Sequence, residues 1–211
     1  AVFWIGAFVY SQNEGAFIAI PAGLLLTYLI SGANKKNKLI AFISCIAVAG
    51  ILFASVPVVR EKLLLQDTSG LARRNIWHET ITMLRDHPIF GAGLSGFPTI
   101  IADYHDATFY EIFQYPHNII LNIWVELGLL GLVAVGWLAF AVLKTIRSQS
   151  NDSIKLAVFA ALATMVVHGL VDVPYFKNDL SVLTWFFLAL LVAGSADVIK
   201  LHRASEIKSH S

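Results

Sequence analysis

The sequence predicts an all-α, polytopic transmembrane helix bundle with a long, partly helical extracytoplasmic loop. Composition is the first ground. Of the 211 residues, 57% are hydrophobic and 14% charged, against roughly 45–50% apolar and roughly 25% charged in soluble domains. A water-soluble core of this size cannot hide so many apolar side chains, and the low charge excludes a disordered chain or a charged coiled coil. The second ground is the recurrence of nearly charge-free runs of about 20 residues, the length a helix needs to cross roughly 30 Å of hydrocarbon. The third is that basic residues are sorted into alternate connections between those runs.

Taken in order, residues 1–10 read as half a span. The chain opens inside an apolar run without an initiator Met, which reads as a fragment lacking N-terminal spans and not as a signal peptide. Residues 16–30 are apolar but short, so their helix is expected to begin within residues 11–15. Residues 39–59 are charge-free and form the clearest span. Residues 118–143 carry only Glu126, residues 156–176 carry His168 and Asp172, and residues 180–198 carry Asp197 near their end. The predicted organisation is therefore transmembrane spans over 1–59 with the first truncated, an extracytoplasmic loop over 60–117, spans over 118–199 and a cytoplasmic tail over 200–211. Nine of the 15 Lys and Arg residues fall on one side of this scheme: Lys35, Lys36, Lys38, Lys144, Arg147, Lys155, Lys200, Arg203 and Lys208. The positive-inside rule makes that side the cytoplasm. Arg60, Lys62, Arg73, Arg74, Arg85 and Lys177 remain outside. The single cysteine, Cys45, excludes an intrachain disulfide framework and a Cys-rich zinc site.

A connection of nearly 60 residues is far longer than the usual link between bundle helices, and such loops are functional or separately folded. Thr68 or Ser69 is placed to cap a helix in which Trp77, Ile81 and Leu84 recur at helical spacing until Pro88. That helix is suited to lying on the membrane surface, with Arg73, Arg74 and His78 on its other face. Gly91-Ala92-Gly93-Leu94-Ser95-Gly96 spells G-x-G-x-x-G, but it follows a helix and a proline instead of a strand. A flexible turn where backbone comes close to another helix or a ligand is expected there, not a dinucleotide site. Residues 103–111, acidic and aromatic, read as an amphipathic lid. His117, at the entry to the next span, is either an interfacial histidine bonded to a neighbour or a group that takes a proton from a substrate hydroxyl. No histidine pair has H-x-x-x-H spacing, so no metal is expected. Glu126 inside its span either ties helices through a buried hydrogen bond or serves a nearby site. Gly128 and Gly131 are expected to permit close helix packing. Asp172 is expected to form a structural pair with His168, one turn away.

Four segments together suggest a family. Arg73-Arg74-Asn75-Ile76-Trp77, His87-Pro88-Ile89-Phe90-Gly91-Ala92-Gly93, Pro116-His117-Asn118 and Glu126-Leu127-Gly128-Leu129-Leu130-Gly131 resemble, in order and spacing, the motif series of the O-antigen ligase and O-antigen polymerase superfamily. The resemblance covers residues 11–143, with a weaker likeness at His168 and residues 170–174. It implies a GT-C-type membrane glycosyltransferase at the outer face of the cytoplasmic membrane. The implied donor is a glycan on polyprenyl pyrophosphate; the implied acceptor is a hydroxyl of a glycan, lipid or protein. The other implied partner is the lipid bilayer, with no nucleic acid, and neither cofactor nor metal is implied. His117 matches the family's essential histidine, and Arg73 matches its loop arginine, with Arg74 as the fallback for a one-residue shift. Guanidinium groups bind a pyrophosphate leaving group bidentately and stabilise its developing charge, while His117 deprotonates the acceptor on the opposite face of the sugar and so inverts the anomeric centre.

The sequence departs from the family at Ser11-Gln12-Asn13-Glu14-Gly15, where a Ser-Arg-Gly element is often found. Glu14 places an anion there, suited to pairing with Arg73 or Arg74 or to orienting His117. Glu14, His78 and Glu126 are the supporting candidates. The competing readings are a transporter or flippase of lipid-linked saccharide, which would show inverted repeats, and an inactive relative.

Overall fold

The computed structural model describes residues 14–106, 111–148, 151–173 and 180–193. Every regular element among them is helical. The predicted half-span over 1–10, the 174–179 turn and the tail over 200–211 lie outside the described residues, as does Asp197.

Helix α1 is described over Glu14–Ile30, and the rest of the segment in which its start is expected, residues 11–13, lies outside the described residues. Helix α2, Lys35–Ser55, is started by Asn34, whose side chain accepts the Lys36 N–H at 2.9 Å. The predicted 39–59 span does not run through. Val56 turns extended (φ −116°, ψ 101°) ahead of Pro57, and a short α3, Pro57–Leu63, follows. Proline disfavours a helical conformation in the residue before it, which breaks the run there. Helix α4, Thr68–Asp86, carries Arg73 and Trp77. Its cap is Asp67 and not Thr68 or Ser69: Asp67 Oδ1 accepts the Gly70 N–H at 3.2 Å, and the Ser69 hydroxyl donates to Asp67 Oδ2 at 2.6 Å. A carboxylate that gathers both a backbone and a hydroxyl donor displaces the hydroxyl caps.

Helix α5, Phe97–Ile101, and a 3₁₀ turn, Ala102–Tyr104, fold back onto α4. Tyr104 donates to Asp86 Oδ2 at 2.7 Å, and His105 Nδ1 lies 3.2 Å from Glu79 Oε2. The start of the predicted lid therefore packs on protein, while Phe109 and Tyr110 lie outside the described residues.

Helix α6, Ile119–Ser148, is longer than the predicted span and is broken within it at Gly128 (φ 67°, ψ −170°), a conformation essentially reserved for glycine. In an unbroken helix Leu129 N–H would bond to Val125 O. Here Leu129 N donates to Ile89 O at 2.9 Å, and Val125 O accepts from Ala92 N at 2.8 Å and Gly93 N at 3.1 Å. The glycine-rich loop is thus inserted into the hydrogen-bond ladder of the helix. Gly91 and Gly128 allow it: a Cβ at Gly91 would stand 2.3 Å from Val125 O, and one at Gly128 would stand 2.2 Å from Ile89 O. The close backbone approach expected of this motif is observed.

Helix α7, Ser153–His168, ends short of the predicted 156–176 span. Beyond it, Val171 N and Asp172 N both bond to His168 O, closing a turn, while the Gly169 carbonyl accepts from Ile119 N at 2.6 Å. Hydropathy continues through this turn, but its backbone groups bond to other elements. Helix α8, Leu180–Ala193, is the last described element. Helices α1 and α7 run antiparallel, with Gly15 against His168 at one end, Gly23 against Thr164, and Gly32 against Asn151 at the other.

Two cores result. Ile76, Met83, Leu84, Phe97, Ile101 and Val125 join α4, α5 and the first part of α6, and Trp77, Leu121 and Trp124 pack on them. Ile146, Val158, Phe159, Ala163 and Leu191 join the far end of α6 to α7 and α8. Gly128 separates the part of α6 that serves one core from the part that serves the other. Helices α2 and α6 are each long and apolar enough to cross a membrane, and α1, α7 and α8 are shorter apolar helices. No residue of α2 is buried against the described residues.

Gly128→Ala is expected to lower stability by more than about 1 kcal/mol, seen as a reduced unfolding midpoint in detergent. Gly136→Ala, where an added Cβ meets nothing, is expected to leave the midpoint unchanged. At the α4 cap, the Ser69 hydroxyl, then the Gly70 N–H and the Lys62 charge, hold the Asp67 carboxyl below its ordinary value against an opposing effect of burial. Because the folded value is depressed, this stabilisation is present above the unfolded value, near 3.8, and is lost as pH falls through the folded one. Asp67→Ala is expected to cost about 1 kcal/mol at neutral pH, with faster amide exchange at Gly70 and Leu71. Below the folded value the difference from the parent chain is expected to shrink.

Candidate active site

The turn after α7 is the platform of the site. Asn118 Nδ2 donates to Leu170 O at 3.0 Å while its Oδ1 accepts from Ile120 N at 3.0 Å and Leu121 N at 3.1 Å, starting α6. Arg73 Nε donates to Val171 O at 2.9 Å, and its Nη1 donates to Ser69 Oγ at 3.2 Å. One short turn therefore holds both the start of α6 and the arginine of α4.

His117 stands between them in a left-handed conformation, φ 49°. Trp77 Nε1 donates to Pro116 O at 2.8 Å, which fixes the backbone just before it. Its imidazole is held edge-on to Phe113 at 5.0 Å between centroids and tilted against Tyr115 at 4.6 Å. Nδ1 lies 3.3 Å from Asp172 Oδ1, with both side chains 23% exposed. Asp172 Oδ1 also accepts the Val173 N–H at 2.8 Å. Burial, and then the Asp172 charge, push the Tyr115 phenol up. An imidazole that donates Nδ1–H to a carboxylate offers Nε2 as a proton acceptor.

Asp172 also meets His117, a contact the sequence reading did not anticipate. In the turn that closes α7 its N–H bonds to His168 O at 3.1 Å, while its carboxylate lies against the His117 ring. The separate signal, a polar residue just past a helix end, was present but does not name its partner.

A cleft of about 1170 Å³ opens beside this turn. Its walls are apolar, from Phe17, Pro21 and Leu25 of α1 and Phe42, Ile46 and Leu52 of α2. One end is polar, with Lys62, Asp67, Ser69, Arg73, His168 and Asp172. Lys62 Nζ lies 3.9 Å from Asp67 Oδ2. The Arg73 guanidinium uses two of its five N–H donors on protein and retains three toward an anion.

The remaining candidates separate. Arg74 and His78 are exposed and do not line the cleft. Glu126 is away from the turn, 6% exposed, with Oε2 accepting the Ser95 N–H at 2.9 Å. Of its two readings, the buried hydrogen bond is present, but it goes to the glycine loop and not to another helix. Glu14 is the first described residue of α1, next to Gly15, which lies against His168; its side chain is outside what the structure describes. Among the described residues no cluster of His, Cys, Asp and Glu is arranged to share a metal ion.

Comparison with known proteins agrees with the motif order. The chain is 31% identical over 118 residues to a Rickettsia conorii protein named "Putative polysaccharide ligase", covering 53% of this chain and 29% of that one. A Rickettsia prowazekii protein of the same description is 27% identical over 135 residues, covering 61% of this chain and 32% of that one. The match thus extends over less than a third of these relatives' own length. No solved structure gives a significant match. The family model described as O-antigen ligase matches residues 1–136, which include Arg73, His117 and the inserted glycine loop. On that match, which takes in more than half of its length, the chain belongs to the O-antigen ligase family.

Proposed function

We propose that this chain carries the reaction centre of a GT-C-like membrane glycosyltransferase of cell-surface polysaccharide biosynthesis. It transfers a glycan from a polyprenyl-pyrophosphate carrier to an acceptor hydroxyl at the outer face of the cytoplasmic membrane. The observation that carries this reading is the shared anchorage of Arg73 and His117 on the turn at residues 169–173, beside a cleft that is apolar along its length and polar at one end, where Arg73 and Lys62 stand. An isoprenoid chain suits the walls of α1 and α2, and a diphosphate suits Arg73 and Lys62.

The chemistry follows from those positions. Asp172 holds Nδ1–H of His117, so Nε2 takes the proton of the acceptor hydroxyl as its oxygen attacks the anomeric carbon. The bond from that carbon to the diphosphate oxygen breaks, and the electron pair leaves with the diphosphate. Arg73 and Lys62 stabilise the charge that accumulates there, the part a divalent ion would otherwise take. Attack opposite the leaving group inverts the anomeric centre without a covalent intermediate. Arg73 is better suited than Arg74 to this task because it lines the cleft. The basic ends of the membrane helices, Lys35–Lys38 and Lys144–Lys155, then lie in the cytoplasm, with the site at the opposite end of α1 and α7.

The test is transfer by the full-length protein in vesicles, with a purified polyprenyl-pyrophosphate glycan and candidate acceptors. His117→Ala is expected to lose on the order of 10²-fold or more in turnover, and undiminished transfer by that variant would sink the mechanism. Asp172→Asn is expected to slow turnover by about tenfold or more while leaving donor binding intact. Arg73→Ala is expected to weaken donor binding as well as turnover, with Arg73→Lys recovering only part because it lacks the bidentate fork. Headgroup movement across the vesicle without transfer would assign the site to transport instead.

A further inference from the structure

The loop that interrupts α6 has a second face. Its backbone is pinned by the bonds to Val125 and Leu129, by the Ser95 N–H to Glu126, and by Trp124 Nε1, which donates to Pro88 O at 2.7 Å. Its side chains point the other way: Phe90 is 81% exposed, Leu94 77% and Ile89 56%. A rigid, glycine-rich turn that exposes its three largest apolar side chains is unlike an ordinary polar surface loop. The exposed patch continues onto α6 through Leu127, Leu129 and Leu130.

Depth along α6 identifies what covers it. Residues 129–148 make roughly 20 helical residues, about 30 Å and enough to cross the hydrocarbon unaided. Lys144 and Arg147 lie at the far end, where long basic side chains reach the opposite interface. The near edge of the hydrocarbon therefore falls at the Gly128 break. The two cores agree with that boundary, since Leu121 and Val125 pack with the outer-loop helices and Val142 and Ile146 with α7 and α8. Trp124, a residue type enriched at membrane interfaces, sits at the same level.

We infer that residues 88–96 form a membrane-dipping tip, with Ile89, Phe90 and Leu94 inserted among the acyl chains of the leaflet that faces the site. The broken ladder is compatible with that depth because loop and helix satisfy each other's backbone groups. The first part of α6 starts at the turn after α7, where Ile119 N donates to Gly169 O, so the His117–Asp172 pair and the tip belong to the same side of the membrane. This placement holds whether or not the site transfers glycans.

Cysteine labelling makes a direct test available. With Cys45 and any further cysteine of the full-length protein replaced by serine, full-length Phe90→Cys, Leu94→Cys and Arg85→Cys proteins in lipid vesicles would be labelled with a membrane-impermeant maleimide. They would also be labelled with an environment-sensitive fluorophore, in vesicles containing lipids that carry nitroxide on the acyl chain. Unfolding midpoints equal to the parent's establish that each variant is folded. Labelling by the impermeant reagent at positions 90 and 94 is expected to be at least about tenfold slower than at position 85, with blue-shifted emission quenched by acyl-chain nitroxide. Comparable labelling rates at all three positions would overturn the inference. Slow labelling without nitroxide quenching would mean a protein cover, such as a second copy of the chain, and would overturn it equally.

Discussion

The structure depends on the exchange of hydrogen bonds between the glycine loop and the break in α6. Leu129 N–H goes to Ile89 and the Val125 carbonyl goes to Ala92 and Gly93, so neither partner is satisfied without the other. In a medium with no water to solvate an orphaned amide, such reciprocity is what makes a break within a spanning helix tolerable. Its structural consequence is that α6 becomes two connected helices, each committed to a different core. The outer core then ties α4 to the first part of α6, and α4 brings Arg73 and Trp77 toward the start of that same helix.

The site inherits its rigidity from this arrangement. His117 occupies a left-handed conformation that a β-substituted residue adopts at some cost, and it is held there from several sides. Trp77 fixes Pro116, Asn118 caps α6 against Leu170, and Asp172 meets the imidazole. Arg73 is fixed by the same turn through Val171. Preorganisation of this kind matters for a reaction whose charge develops on a leaving diphosphate, since donors already in place need not reorganise as the bond breaks. The apolar cleft and its polar end suit the proposed amphiphilic donor for the same reason: apolar walls on α1 and α2 fit a hydrocarbon chain, and Arg73 at the end offers fixed donors.

Much of this was legible in the sequence, and the misses over 156–176 and at Gly128 share a cause. Helical class, the membrane-length runs, the helix after residue 67 and the close approach at Gly91–Gly96 all follow from local composition and spacing. The 156–176 run was overestimated because Gly169, Leu170 and Val171 are apolar enough to extend a span, whereas their carbonyls are drawn to Ile119, Asn118 and Arg73. The true end of α7 is decided by those distant donors. The same holds for Gly128, which in Glu126-Leu127-Gly128-Leu129 reads as a packing residue until a loop from another part of the chain enters the ladder. Asp67, Thr68 and Ser69 are all suitable caps, and the choice among them is made by Ser69 donating to Asp67.

By itself, the sequence determined that the chain is helical, that it is built for a membrane, which residues are able to bind a diphosphate or accept a proton, and which family it belongs to. These are properties of residue type, order and short-range periodicity. Only the tertiary structure decided that Asp172 meets His117, that Arg73 and not Arg74 faces the cleft, and that α6 is two helices. Each of those outcomes turns on a backbone carbonyl or amide finding its partner far away in the chain, and no local pattern encodes which partner that will be.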